Sequence, residues 1–118
     1  MNNFGFLAAA SLVVIAAPAA AQSMQQGTYV NDDNSAKFVF GESSGSFIQY
    51  KSINGNPGTI TIDFDYNLVG NTLTMSQKRI SLTDHPMARS APASKVDVEQ
   101  VEIRSNAVVI GGIIYKRQ

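Results

Sequence analysis

Between Gly27 and Arg117 the chain alternates apolar and polar residues in short runs, and turn residues interrupt it about every ten positions, the rhythm of an all-β sandwich or barrel. "VNDDNSA" parts "GTYV" from "KFVF", and "GESSG" parts that from "SFIQYKSI". "NGNPG" then leads into "TITIDFDYNL", "VGN" into "TLTMSQ", and "SN" at Ser105 and Asn106 joins "VDVEQVEIR" to "AVVIGGIIYKR". Each connection is short enough for an antiparallel hairpin, so the pattern predicts an up-and-down meander.

Phase along each strand sorts inside from outside. Ile60, Ile62, Phe64 and Tyr66 share one face, and Thr59, Thr61, Asp63 and Asp65 share the other. Leu73 and Met75 continue the apolar side in the next strand, and Phe38, Phe40, Ile48, Tyr50, Ile110 and Tyr115 are further expected inward residues. In "VDVEQVEIR", Val96 and Val98 are out of phase with Val101 and Ile103, so a β-bulge near Glu99 and Gln100 is expected to return both pairs to the core. Gly111 and Gly112 are expected to mark a bulge or sharp bend within the last strand. Residues 83–95, rich in Ala, Ser and Pro and without periodicity, are expected to form a long flexible loop. The predicted fold is an all-β antiparallel meander of about 7–8 strands that closes into a small barrel, because an open sheet would leave apolar residues wet and an edge unpaired.

The first residues carry a different signal. "FLAAASLVVIAAP" is apolar but too short to span a bilayer, and "AAAQS" supplies the small residues read by signal peptidase. The expected organisation is a cleaved signal peptide over residues 1–21 and a barrel domain over residues 22–118, periplasmic or secreted. The chain has no Cys. An exported domain without disulfides must be held by apolar burial alone, which argues again for a regular, compact architecture. Nine basic residues balance nine acidic ones. No net field draws the chain to nucleic acid, and Lys78, Arg79, Arg89, Lys95, Lys116 and Arg117 are taken as solvated surface.

Four stretches together, "GTYV", "KFVF", "GTITIDFDYNLVGNTLTM" and "AVVIGGIIYKR", resemble the small secreted lipocalin-like domains of bacteria, relatives of the calycin barrels. Gly27 and Tyr29 stand where that family has its G-x-W/Y start, with Tyr29 in place of the usual Trp. Ile62 and Asp63 match its middle strand, and Tyr115 and Lys116 its closing one. The resemblance implies a lipocalin-like barrel and an expectation of ligand binding.

Little in the chain offers catalysis. Asp63, Asp65 and Asn67 imitate the start of a calcium loop, but the loop needs Gly at position six and Glu at position twelve, where Leu68 and Thr74 stand. The two aspartates are strand neighbours about 7 Å apart and do not face each other across a substrate. His85 is the single histidine, so no multi-His metal site exists. Gly41, Ser43 and Gly45 spell G-x-S-x-G, but a strand follows where that motif needs a helix, and no thiol is present. No enzyme activity, metal or other cofactor is expected.

The inward aromatics are the remaining candidates. An eight-stranded barrel is just wide enough to be filled by its own side chains or to hold one small ligand. The first reading is a non-catalytic binding protein with a small apolar ligand among Tyr29, Phe40, Tyr50, Phe64 and Tyr66. The alternative is a protein-interaction module, an inhibitor or envelope subunit, whose partner meets a strand edge or an outer patch of Val39, Val109 and Ile114.

Overall fold

The computed structural model describes residues 23–118; the expected signal segment lies outside them. Among the described residues nine strands are present: β1 (Gly27–Val30), β2 (Ala36–Phe40), β3 (Ser44–Ile53), β4 (Asn56–Val69), β5 (Thr72–Thr83), β6 (Arg89–Pro92), β7 (Val96–Ile103), β8 (Ala107–Ile110) and β9 (Ile113–Arg117). All pairings are antiparallel. Eight strands close in the order β1-β2-β3-β4-β5-β7-β8-β9, and β9 returns to β1 through Tyr29↔Arg117 and Val30↔Lys116. The all-β meander expected from the alternation is therefore a closed barrel. Among the described residues no helix is long and apolar enough to cross a membrane.

Turn chemistry fixes the register. Asn54 and Gly55 both have positive φ (50° and 82°) and link Ile53 to its partner Asn56, the two-residue hairpin geometry that Asn-Gly favours. Gly111 and Gly112 do the same at φ 58° and 84° between the paired Ile110 and Ile113. The expectation of a bend inside one strand is corrected here. "AVVIGGIIYKR" is two strands and their turn, because two consecutive positive-φ residues reverse the chain.

β4 and β5 are longer than the barrel is tall. β7 accompanies β5 only over Thr72–Ser76, after which β6 pairs with Arg79–Leu82. β2 similarly leaves β3 at Gln49. The far parts of β3, β4, β5 and β6 thus continue as a four-stranded flap beyond one end of the barrel. Residues 83–95, expected as a structureless loop, contain β6, which covers an edge of β5 that would otherwise be unpaired. The register slips once, where Asp63 faces Arg79 while Phe64 faces Gln77, leaving Lys78 as the extra residue of a bulge at the root of the flap.

The core is aromatic. Phe38, Phe40 and Phe64 are almost fully buried, and Phe40 meets Tyr29, Phe38, Phe64 and Tyr66 at centroid distances of 5.9, 5.4, 6.1 and 5.4 Å. Leu68, Leu73 and Val108 complete it. "DFDYN" behaves as its alternation predicts: Phe64, Tyr66 and Leu68 are buried, and Asp65, Asn67 and Val69 are exposed.

Two phase assignments are corrected. Ile48 and Tyr50, expected inward, lie on the outer face with Lys37, which pairs with Ile48. Phe47 takes the inner position, 4.7 Å from the Phe38 ring, because the Gly45↔Phe64 pair sets the phase of β3. In β7 no register shift separates the halves of the strand, so strict alternation places Asp97, Glu99, Val101 and Ile103 on one face. Val96 and Val98 point outward at 54% and 58% exposure. Ladder hydrogen bonds to β5 hold β7 regular, and two exposed valines cost less than breaking them.

Candidate functional site

The two ends of the barrel differ. At one end the segment 23–26 crosses beneath the core, and Met24 is buried there at 3% exposure. Its amide N–H donates to the Tyr66 hydroxyl at 2.9 Å, and that hydroxyl lies 2.8 and 2.9 Å from the carbonyl oxygens of Gly41 and Glu42. Tyr66 thereby ties the entering strand to the β2–β3 turn, and Met24 plugs the opening. Tyr29 sits in the same closed half, donating its hydroxyl to the Gln25 carbonyl at 2.6 Å.

The other end, under the flap, is open. A cleft of about 350 Å³ lies there, walled by Phe38, Phe47, Ile62, Phe64, Met75, Ile110, Ile113 and Tyr115. Gln77, Lys95, Asp97, Glu99 and Gly111 form its polar side. The inner-phase residues of the flap extend the apolar wall: Ile62 pairs with Phe47 and Ile80, and Ile60 with Leu82. The volume is at the small end of ligand pockets, which run from about 300 to 1,000 Å³, and the mixture of aromatic wall and few polar groups is typical of them.

The five residues singled out from the sequence separate into three groups. Phe64 lines the cleft. Tyr29, Phe40 and Tyr66 are buried core at 3%, 2% and 8% exposure, on the sealed side. Tyr50 is outside, with the Lys37 ammonium 5.8 Å from its ring centroid. The interior is thus filled in one half and hollow in the other, and the division follows the height of each residue along its strand.

Missing from the sequence-derived set are the polar residues of β7 and its approach. Gln77 Nε2 donates to Asp97 Oδ2 at 2.9 Å, and Lys95 Nζ stands 3.5 Å from Asp97 Oδ1. Both oxygens of Asp97 are engaged. Glu99 makes no ion pair among the described residues, and its carboxylate rests against the β8–β9 turn, where a Cβ on Gly111 would come 2.9 Å from Oε1. The signal for these residues was present in "DVEQVEI": uninterrupted alternation puts Asp97 and Glu99 in phase with Val101 and Ile103.

Other candidates resolve as structure. Asp63 accepts a 2.6 Å hydrogen bond from the Ser46 hydroxyl and Asp65 pairs with Lys78 at 3.5 Å, both on the outer face. A depression of about 490 Å³ beside them, bordered by Ser44, Ser46, Asp63, Lys78 and Arg79, is larger than the cleft but has Phe64 as its one apolar side chain, so it lacks the aromatic wall of the cleft. Among the described residues no three His, Asp or Glu side chains gather as metal ligands. His85 is a staple. Its Nδ1 accepts the Met87 N–H at 3.0 Å, and Nε2, 2.8 Å from the Ile53 carbonyl, must carry the proton. The ring packs beside Gly58 and fastens the β5–β6 turn to the flap tip.

Burial pushes the phenols of Tyr29 and Tyr115 above the ordinary tyrosine range. Arg117 partly opposes the shift at Tyr29, and the Glu99 charge reinforces it at Tyr115. Raised folded-state values mean that the native protein keeps these protons when the unfolded chain has lost them. Their contribution to stability is complete below about pH 10, the unfolded value, and declines as pH rises beyond it. In an alkaline titration followed by phenolate absorbance, Tyr29 and Tyr115 are expected to ionise late and together with unfolding. Ionisation of Tyr29 and Tyr115 at the free-tyrosine midpoint, with the fold intact, would contradict this placement.

Compared with family models, with curated proteins and with solved structures, the chain matches none.

Proposed function

We propose that the protein is an exported, non-catalytic binding domain of lipocalin-like type, which holds one small, largely apolar molecule in the open half of its barrel. The observation that carries this reading is the cleft of about 350 Å³ walled by Phe38, Phe47, Phe64 and Tyr115, in a barrel plugged by Met24 at its opposite end. A sealed end and an open end give a cup. Binding is favoured over catalysis because Asp97 is already engaged by Gln77 and Lys95, and the single histidine is occupied at the flap. The up-and-down strand order around a closed ring supports the lipocalin-like assignment.

The uncharged fluorophore N-phenyl-1-naphthylamine tests the cup. Saturable, one-to-one binding with blue-shifted emission is expected, and Ile62→Trp, which fills the cleft, is expected to weaken it at least tenfold. Absence of saturable binding, or indifference to Ile62→Trp, would overturn the reading. Export is tested separately: the amino terminus of protein recovered from outside the cytoplasm is expected at Gln22, and a chain retaining Met1 there would count against cleavage.

A further inference from the structure

The polar side of the cleft narrows the ligand class. It carries two carboxylates, Asp97 and Glu99, against one ammonium, Lys95. Lys95 is directed to Asp97, which also receives Gln77, so this pair is internally balanced. Among the described residues Glu99 is left as the uncompensated charge of the cleft, beside the apolar wall and against the Gly111 turn. An independent feature stands next to it. Tyr115 is 4% exposed, its side chain lines the same cleft, and its hydroxyl makes no hydrogen bond to any described residue. Buried hydroxyls are ordinarily partnered, so a donor left free at the wall of a cavity points to a partner that occupies the cavity.

We propose that the cleft selects an organic cation: a molecule with an apolar body that packs on Phe38, Phe47, Ile62 and Phe64 and an ammonium head that meets the Glu99 carboxylate, with the Tyr115 hydroxyl beside it. This deepens the binding reading above and rests on it. A carboxylate next to low-dielectric walls attracts a cation more strongly than it would in water, and a charge-assisted hydrogen bond is about twice as strong as a neutral one. A fatty acid would bring a third carboxylate to a site with one lysine, already paired. The cup therefore discriminates by the charge of the head, since its apolar wall accepts any body that fits.

Three probes of equal chain length separate body from head: n-octylamine, a cation at pH 7, n-octanol and sodium octanoate, titrated calorimetrically below their aggregation limits. The amine is expected to bind tightest, the alcohol next and the carboxylate weakest, with about tenfold or more between the first and last. Glu99→Gln keeps the side-chain shape and is expected to weaken the amine about tenfold or more and remove its preference over the alcohol, with an unaltered circular dichroism spectrum and urea midpoint showing separately that the variant is folded. Equal or tighter binding of octanoate, or an amine preference that survives Glu99→Gln, would overturn the cation proposal while leaving the cup intact. Failure of all three probes to bind would overturn both.

Discussion

Replacing Phe40 by Ala is expected to lower the unfolding free energy by about 3–5 kcal/mol, the range for emptying a buried aromatic site. Phe40 is 2% exposed and touches four other rings, Tyr29, Phe38, Phe64 and Tyr66, so no neighbour can collapse into the space without breaking its own contacts. The site lies in the sealed half of the barrel, where the Tyr66 hydroxyl also fixes the plug. A domain of this size has a total stability of about 5–15 kcal/mol, so the loss consumes much of it. Urea unfolding with the slope held equal between variants measures it. A cost below about 1 kcal/mol, the ordinary range for surface sites, would mean that this half of the barrel is not packed as described. Tyr50→Ala is the internal control, since its ring lies outside at 44% exposure and its loss is expected to stay within about 0.5 kcal/mol.

Gly45→Val is expected to be of similar severity by the opposite mechanism. A Cβ at Gly45 would clash with the Val39 carbonyl oxygen and stand 3.1 Å from two carbons of the Phe64 ring. The first of these is backbone and cannot turn aside. Gly45 also pairs with both Phe40 and Phe64, so relief requires β3 to shift against β2 or β4. A one-residue slip would exchange Phe47 for Ile48 on the inner face and destroy the wall of the cleft. The expected cost is about 3 kcal/mol or more, at the upper end of overpacking effects, with loss of fluorophore binding. Val at position 45 with full stability would show that β3 has room the structure denies it.

Much of this architecture is legible in the sequence, and the reasons differ by element. In β4, the alternation of Phe64, Tyr66 and Leu68 with Asp65 and Asn67 is unambiguous because one face is fully buried and the other wet. β3 is ambiguous by nature. Phe47 and Ile53 compete with Ile48 and Tyr50 for the inner face, and the choice falls to the close approach of Phe64 over Gly45, a contact between strands. β7 misleads for a chemical reason. Placing Val96 and Val98 inside satisfies hydrophobicity, yet at the open end of a cup the inner face meets a cleft, where Asp97 and Glu99 can remain hydrated.

The same distinction explains the candidate site. Inward aromatics identify the lumen but carry no information about height, so Tyr29, Phe40 and Tyr66 could not be told from Phe64 without knowing which end Met24 closes. Residues 83–95 hide a strand for a related reason. β6 has no apolar face of its own to alternate, and all four of its residues are exposed. Its order comes from the ladder it makes with β5.

The barrel's division into a sealed and an open half is tested most directly by locating a bound probe. An isotope-filtered NOE experiment with the uncharged fluorophore and uniformly labelled protein is expected to give intermolecular contacts to Phe47, Ile62, Ile110, Ile113 and Tyr115, with none to Met24, Tyr29 or Tyr66. Contacts confined to the outer valines Val96 and Val98, or to the Met24 end, would contradict the cup.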